Sequence, residues 1–209
     1  WFLFRRVVVA YVHVEIVDPS PDQINALVNL YYTGQMVQTE QACRGLLQAY
    51  PQSLVVINLL GASLQGQGKL QEAVESFDKV IELKPDYAAA YSNRGAVLKE
   101  LGQLEKAVEN YNQAIQLQPD YAEAYNNRGN VLKELGQLEE AAENYDRAIQ
   151  LKPDYAEAYS NRGLVLQDLG QLAEAVESYD KAIQLKPNYA ETYSNRGLVL
   201  QDLERLAEA

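Results

Sequence analysis

Eleven of the fifteen tyrosines in this 209-residue chain fall on a 34-residue grid. Tyr87, Tyr121, Tyr155 and Tyr189 form one series, and Tyr91, Tyr125, Tyr159 and Tyr193 form a second. Tyr111, Tyr145 and Tyr179 form a third. A fixed period of about 20–50 residues marks an array in which each unit buries its apolar face against its neighbours. The grid divides the chain into units at 20–53, 54–87, 88–121, 122–155 and 156–189, with a partial unit at 190–209. Residues 88–121 and 122–155 differ at eight of 34 positions. The first unit is degenerate but keeps Gly34 and Pro51 in phase. Residues 1–19 lie outside the frame.

Each full unit reads as two amphipathic helices, which in the fourth unit span roughly 122–135 and 139–152. Gly68, Gly102, Gly136 and Gly170 follow the first helix, where a left-handed residue is needed to turn the chain. Pro85, Pro119, Pro153 and Pro187 close the second, because proline cannot continue the hydrogen-bond ladder. Asp120 with Glu123 and Asp154 with Glu157 have the spacing of a capping box at the next helix start, and Asn188 with Glu191 is a variant of it. The last unit carries Glu204 where earlier units carry the turn glycine, so a departure from the pattern is expected there.

In residues 88–121 the frame is Tyr91-x2-Arg94-Gly95-x2-Leu98, then Ala107-x3-Tyr111, then Pro119. It repeats at Gly129, Ala141, Tyr145, Ala148 and Pro153. This resembles the tetratricopeptide repeat (TPR) family. The resemblance implies an all-α fold, a right-handed superhelical α-solenoid over 20–209 with first helices lining a concave groove. Gly95 and Ala107 fit its small positions, and Tyr91 and Tyr111 its bulky ones. Arg94, Arg128, Arg162 and Arg196 stand where the family usually has Leu, and an ion pair to an acidic residue of a neighbouring repeat is expected for them.

Variation among the internal copies is localised. Between consecutive units from 88 to 189, first helices change at seven places, six of them at repeat positions 2, 5, 9 and 12. These include Asn126, Asn130 and Lys133, and Lys99 shares the last position. Their spacing makes one helical stripe, which the resemblance assigns to the groove. Asn93, Asn127, Asn161 and Asn195, at position 6, do not vary. A carboxamide can pair with both N–H and C=O of an extended peptide. The series is similar to the asparagine ladder in the TPR superhelix of O-GlcNAc transferases, which implies a backbone-gripping groove. The alternative is a soluble residue of a common repeat consensus. Asn25 shares the phase, but Leu59 interrupts it. The family's carboxylate clamp is not expected. Position 2 carries Glu123, Glu157 and Glu191, which would repel a terminal carboxylate, and Lys99 and Lys133 have Glu100 and Glu134 beside them.

The remaining features narrow the function. A net charge of −11 argues against nucleic acid or an anionic membrane as partner. One Cys excludes an intrachain disulfide, and with one His there is no ligand set for structural zinc. Cys43 takes the aromatic position of the first unit and reads as a core thiol. No phosphate loop or nucleophile motif is present. No catalytic residue, metal or cofactor is therefore expected. Residues 1–19 are expected to form an extended arm, too short and too charged at Arg5 and Arg6 to span a membrane. The expected function is a non-catalytic, cytoplasmic protein-interaction scaffold that binds an extended peptide. Two alternatives stay open: the substrate-binding arm of a larger glycosyltransferase-like enzyme, or a self-assembling module with end-to-end contacts.

Overall fold

The computed structural model describes residues 18–208, with side chains as far as Glu204. The arm expected over 1–19 therefore lies outside the described residues, apart from Asp18 and Pro19. The first pairs of helices are α1 (Pro21–Tyr32) with α2 (Met36–Ala49), and α3 (Leu54–Gly66) with α4 (Leu70–Leu83). Next come α5 (Ala88–Glu100) with α6 (Leu104–Leu117), and α7 (Ala122–Glu134) with α8 (Leu138–Leu151). The last are α9 (Ala156–Asp168) with α10 (Leu172–Leu185), followed by α11 (Ala190–Glu208). No strand occurs among the described residues, and the helix pairs stack into a right-handed superhelical α-solenoid.

The turn within each pair is made by glycine. Gly34, Gly68, Gly102, Gly136 and Gly170 all have φ between 71° and 76°, a region that costs an L side chain about 1–2 kcal/mol. Glu204 replaces that glycine, and α11 runs through the position without a break to Glu208. The expected capping boxes are not formed. The α7 and α9 helices begin at Ala122 and Ala156, so their N-caps are Tyr121 and Tyr155, with no side-chain cap. Asp120 and Asp154 each sit one residue too early. Glu123 instead binds Lys152 at 2.9 Å, which holds its carboxyl below the ordinary range. Ser20 and Gln23 do form a capping box, at the start of α1.

Small residues against aromatic rings hold each pair together. Tyr111, Tyr145 and Tyr179 on the second helices are fully buried, and Phe77 and Cys43 take the same place in α4 and α2. Burial pushes the Cys43 thiol up to about 12, so it stays protonated and unreactive near neutral pH. Between units, the arginines form a spine. Each reaches one residue of the preceding second helix and, for the first three, one of its own. Arg94 binds Asp78 and Asn110, Arg162 binds Asp146 and Ser178, and Arg196 binds Asp180. The expected ion pair fails once. Arg128 meets Asn112 at 2.6 Å and Asn144 at 2.7 Å, both neutral, and burial lowers its pKa.

Candidate functional site

Which layer is concave follows from the approach of the helices. The first helices come close in succession, α1 to α3, α3 to α5, α5 to α7, α7 to α9 and α9 to α11, whereas no two second helices do so among the described residues. In a curved stack the inner layer is the one whose members crowd together. The first helices therefore line the groove, and the second helices splay on the convex side. The splay leaves a cavity of about 490 Å³ between α4 and α6, in whose wall Arg94 and Asp78 are already paired as part of the spine.

Asn93, Asn127, Asn161 and Asn195 lie one to a helix on α5, α7, α9 and α11, each half-buried. Two of them are held from behind. The Asn93 amide donates to Asn58 Oδ1 at 3.0 Å, and the Asn161 amide donates to Asn126 Oδ1 at 3.1 Å. Each of these bonds leaves the oxygen of the position-6 carboxamide uncommitted. Asn127 is the reverse case, because its Oδ1 accepts from Asn126 at 3.4 Å and its own N–H groups make no hydrogen bond among the described residues. Asn195 has no side-chain hydrogen bond among the described residues.

Position 5 is buried in three successive units. Ser92, Asn126 and Ser160 are 4%, 0% and 3% exposed, packed between consecutive first helices. Asn126 is thus a support for Asn161 and Asn127, which corrects its place in the expected surface stripe. Ser160 shares a 2.8 Å hydrogen bond with Thr192 of the next unit. Such polar contacts lie within an interface between units, and sequence variation there reads misleadingly as surface variation.

The other candidate residues divide. Asn130 accepts from the Tyr145 hydroxyl at 2.8 Å. Lys99 forms an ion pair with Glu134 at 2.7 Å, bridging α5 and α7. Lys133 is half-buried on α7 with no ion pair among the described residues. Asn58 carries no distinguishing mark within its own unit. The signal that marks it is the recurrence of a small polar residue, Asn or Ser, at position 5 in Asn58, Ser92, Asn126, Ser160 and Ser194. No group of His, Cys, Asp and Glu among the described residues is arranged to hold a metal ion, and no helix among them is long and apolar enough to cross a membrane.

The same architecture occurs in known proteins. The crystal structure of MamA is 26% identical over 84% of this chain and 99% of that one, with a TM-score of 0.68. TTC0263, a thermophilic TPR protein of Thermus thermophilus, superposes with a TM-score of 0.72 at 22% identity, covering 86% of this chain and 98% of the other. YrrB, a TPR protein with an unusual peptide-binding site, is 21% identical over 86% of this chain and 92% of its own, with a TM-score of 0.64. No curated protein sequence matches the chain significantly. The family model for the TPR repeat matches residues 66–102, 97–136, 129–170 and 165–203 in overlapping succession. With two helices per 34-residue period, a glycine at each turn and most of its length matched by that model, the chain belongs to the tetratricopeptide repeat family.

Proposed function

We propose that the protein is a non-catalytic interaction scaffold whose concave groove holds an extended peptide by its backbone. The observation that carries this reading is the line Asn93, Asn127, Asn161 and Asn195, one carboxamide per inner helix, two of them pre-oriented by Asn58 and Asn126. An amide already fixed by the protein loses less rotamer freedom when it binds, so more of its hydrogen-bond energy appears as affinity. Asn93 and Asn161 offer acceptors to peptide N–H groups, and Asn127 offers donors to peptide C=O groups. This is the grip implied by the likeness to the O-GlcNAc transferase ladder. The similar fold of YrrB, which has a peptide-binding site, supports a peptide as ligand.

A probe that carries little beyond backbone tests the reading. A fluorescein-labelled dodecapeptide of alternating Ser and Ala should bind saturably, as followed by anisotropy. Replacing Asn127 and Asn161 with Ala should weaken it roughly tenfold, at about 0.5–1.5 kcal/mol per lost hydrogen bond. Unchanged affinity in a double variant with the parent's helical content would contradict the ladder.

A further inference from the structure

The three buried tyrosines of α6, α8 and α10 occupy equivalent places, yet their hydroxyls fare differently. Tyr145 donates to Asn130 Oδ1 at 2.8 Å, and Tyr179 donates to Gln167 Oε1 at 3.2 Å. Tyr111 is 1% exposed and its hydroxyl has no hydrogen-bond partner among the described residues. The sequence explains the difference. Position 9 is Ala96 in this unit, against Asn130 and Leu164 in the next two. Position 12 is Lys99, an ammonium that cannot accept a hydrogen bond and is tied to Glu134 at 2.7 Å.

The short Ala96 side chain leaves a cavity of about 180 Å³ on the groove side, lined by Ala96, Lys99, Glu100, Tyr111, Asn127 and Asn130. Every fully enclosed side-chain polar atom among the described residues is hydrogen-bonded. The unpaired Tyr111 hydroxyl must therefore open onto the cavity it lines. The volume equals that of a handful of waters at about 30 Å³ each, enough for a short side chain.

We infer that this cavity is a side-chain subsite of the groove that takes a primary carboxamide, the Asn or Gln side chain of a bound peptide. The proposal rests on the groove reading above, because Asn127 of the ladder forms one wall. The wall chemistry selects the class. Tyr111 and the Asn130 amide, whose own oxygen is used by Tyr145, are donors for a carbonyl oxygen. Glu100 is an acceptor for the N–H₂ beside it, although it also accepts from Gln65. A carboxylate would add a negative charge next to Glu100 and Glu134, with Lys99 already paired. An apolar side chain would cover the hydroxyl and the carboxylate without replacing the water they lose. A carboxamide satisfies donors and acceptor together.

Propionamide, a mimic of the side chain alone, separates this proposal from the groove reading. Titrated into isotope-labelled protein, it should shift the Tyr111 ring and Asn130 side-chain resonances saturably. Propionate should bind at least about tenfold more weakly, the loss expected for one unmet hydrogen bond plus repulsion. Two variants have natural precedents in the chain. Ala96→Leu copies Leu164 and should abolish the response by filling the cavity. Tyr111→Phe copies Phe77 and should weaken it several-fold while preserving the fold. The subsite is overturned if propionamide leaves Tyr111 unshifted, if propionate binds equally well, or if Ala96→Leu binds as the parent does. A propionamide response lost in Ala96→Leu upholds the subsite even where the Ser-Ala dodecapeptide fails to bind, a failure that counts against the backbone ladder alone.

Discussion

Gly129 lies so close to Tyr145 that a Cβ on the glycine would stand 2.8 Å from ring Cε1. The contact joins α7 to α8 and recurs between Gly163 and Tyr179, where the added carbon would come within 2.5 Å. At 2.8 Å or less the ring has to move, and it is walled in by Ala141 and its neighbours in the core. Gly129→Leu should therefore destabilise the array by about 1–3 kcal/mol or more through overpacking. Gly197 is the internal control, since nothing among the described residues lies within 4 Å of its Cβ position. Gly197→Ala should be neutral or stabilising by up to about 1 kcal/mol, the helix-propensity gain. Thermal melts of the two variants check both expectations.

The arginine spine has one weak link. Arg128 is bonded to Asn112 and Asn144, where Arg94, Arg162 and Arg196 each have an aspartate from the preceding unit. Asn112→Asp should complete the series and raise the melting temperature, with a gain of up to about 1 kcal/mol because the site is partly exposed. Asp146→Asn, which copies the weak link into the next unit, should lower it. Both effects should shrink in high salt.

Acid should loosen the first two units. Glu40 accepts from Lys69 at 2.7 Å, and also from Arg44 and Gln67, and these partners hold its carboxyl at about 2. An unfolded glutamate titrates near about 4.3. A carboxyl depressed by folding contributes its stabilisation above the unfolded value and loses it as pH falls towards the folded one. Stability should therefore drop between about pH 4.3 and pH 2. Glu40→Gln should be less stable than the parent at neutral pH and should flatten that part of the profile. Denaturant melts across the range check it.

Much of the fold is legible in the sequence because it is written in steric extremes. Glycine at the turns, glycine or alanine against tyrosine and proline after the second helix each admit few substitutes, so their periodicity shows. Hydrogen-bond partners are less legible. Asp120 and Glu123 have capping-box spacing, yet the helix starts at Ala122 and Glu123 turns to Lys152. Asn126 looks like a groove residue because it is polar and varies, but it is buried as the support of Asn161. The Ala96 cavity is invisible in one unit alone and emerges only when Tyr111 is set beside Tyr145 and Tyr179.

A grip on the peptide backbone by the inner-helix asparagines would be visible at the amides themselves. The most direct measurement follows the side-chain amide resonances of Asn93, Asn127, Asn161 and Asn195 during titration with the Ser-Ala dodecapeptide. All four should shift together with one dissociation constant, while Asn112, exposed on the convex side, should stay still. Shifts confined to the second helices, or saturable binding that leaves the four amides unmoved, would contradict the account.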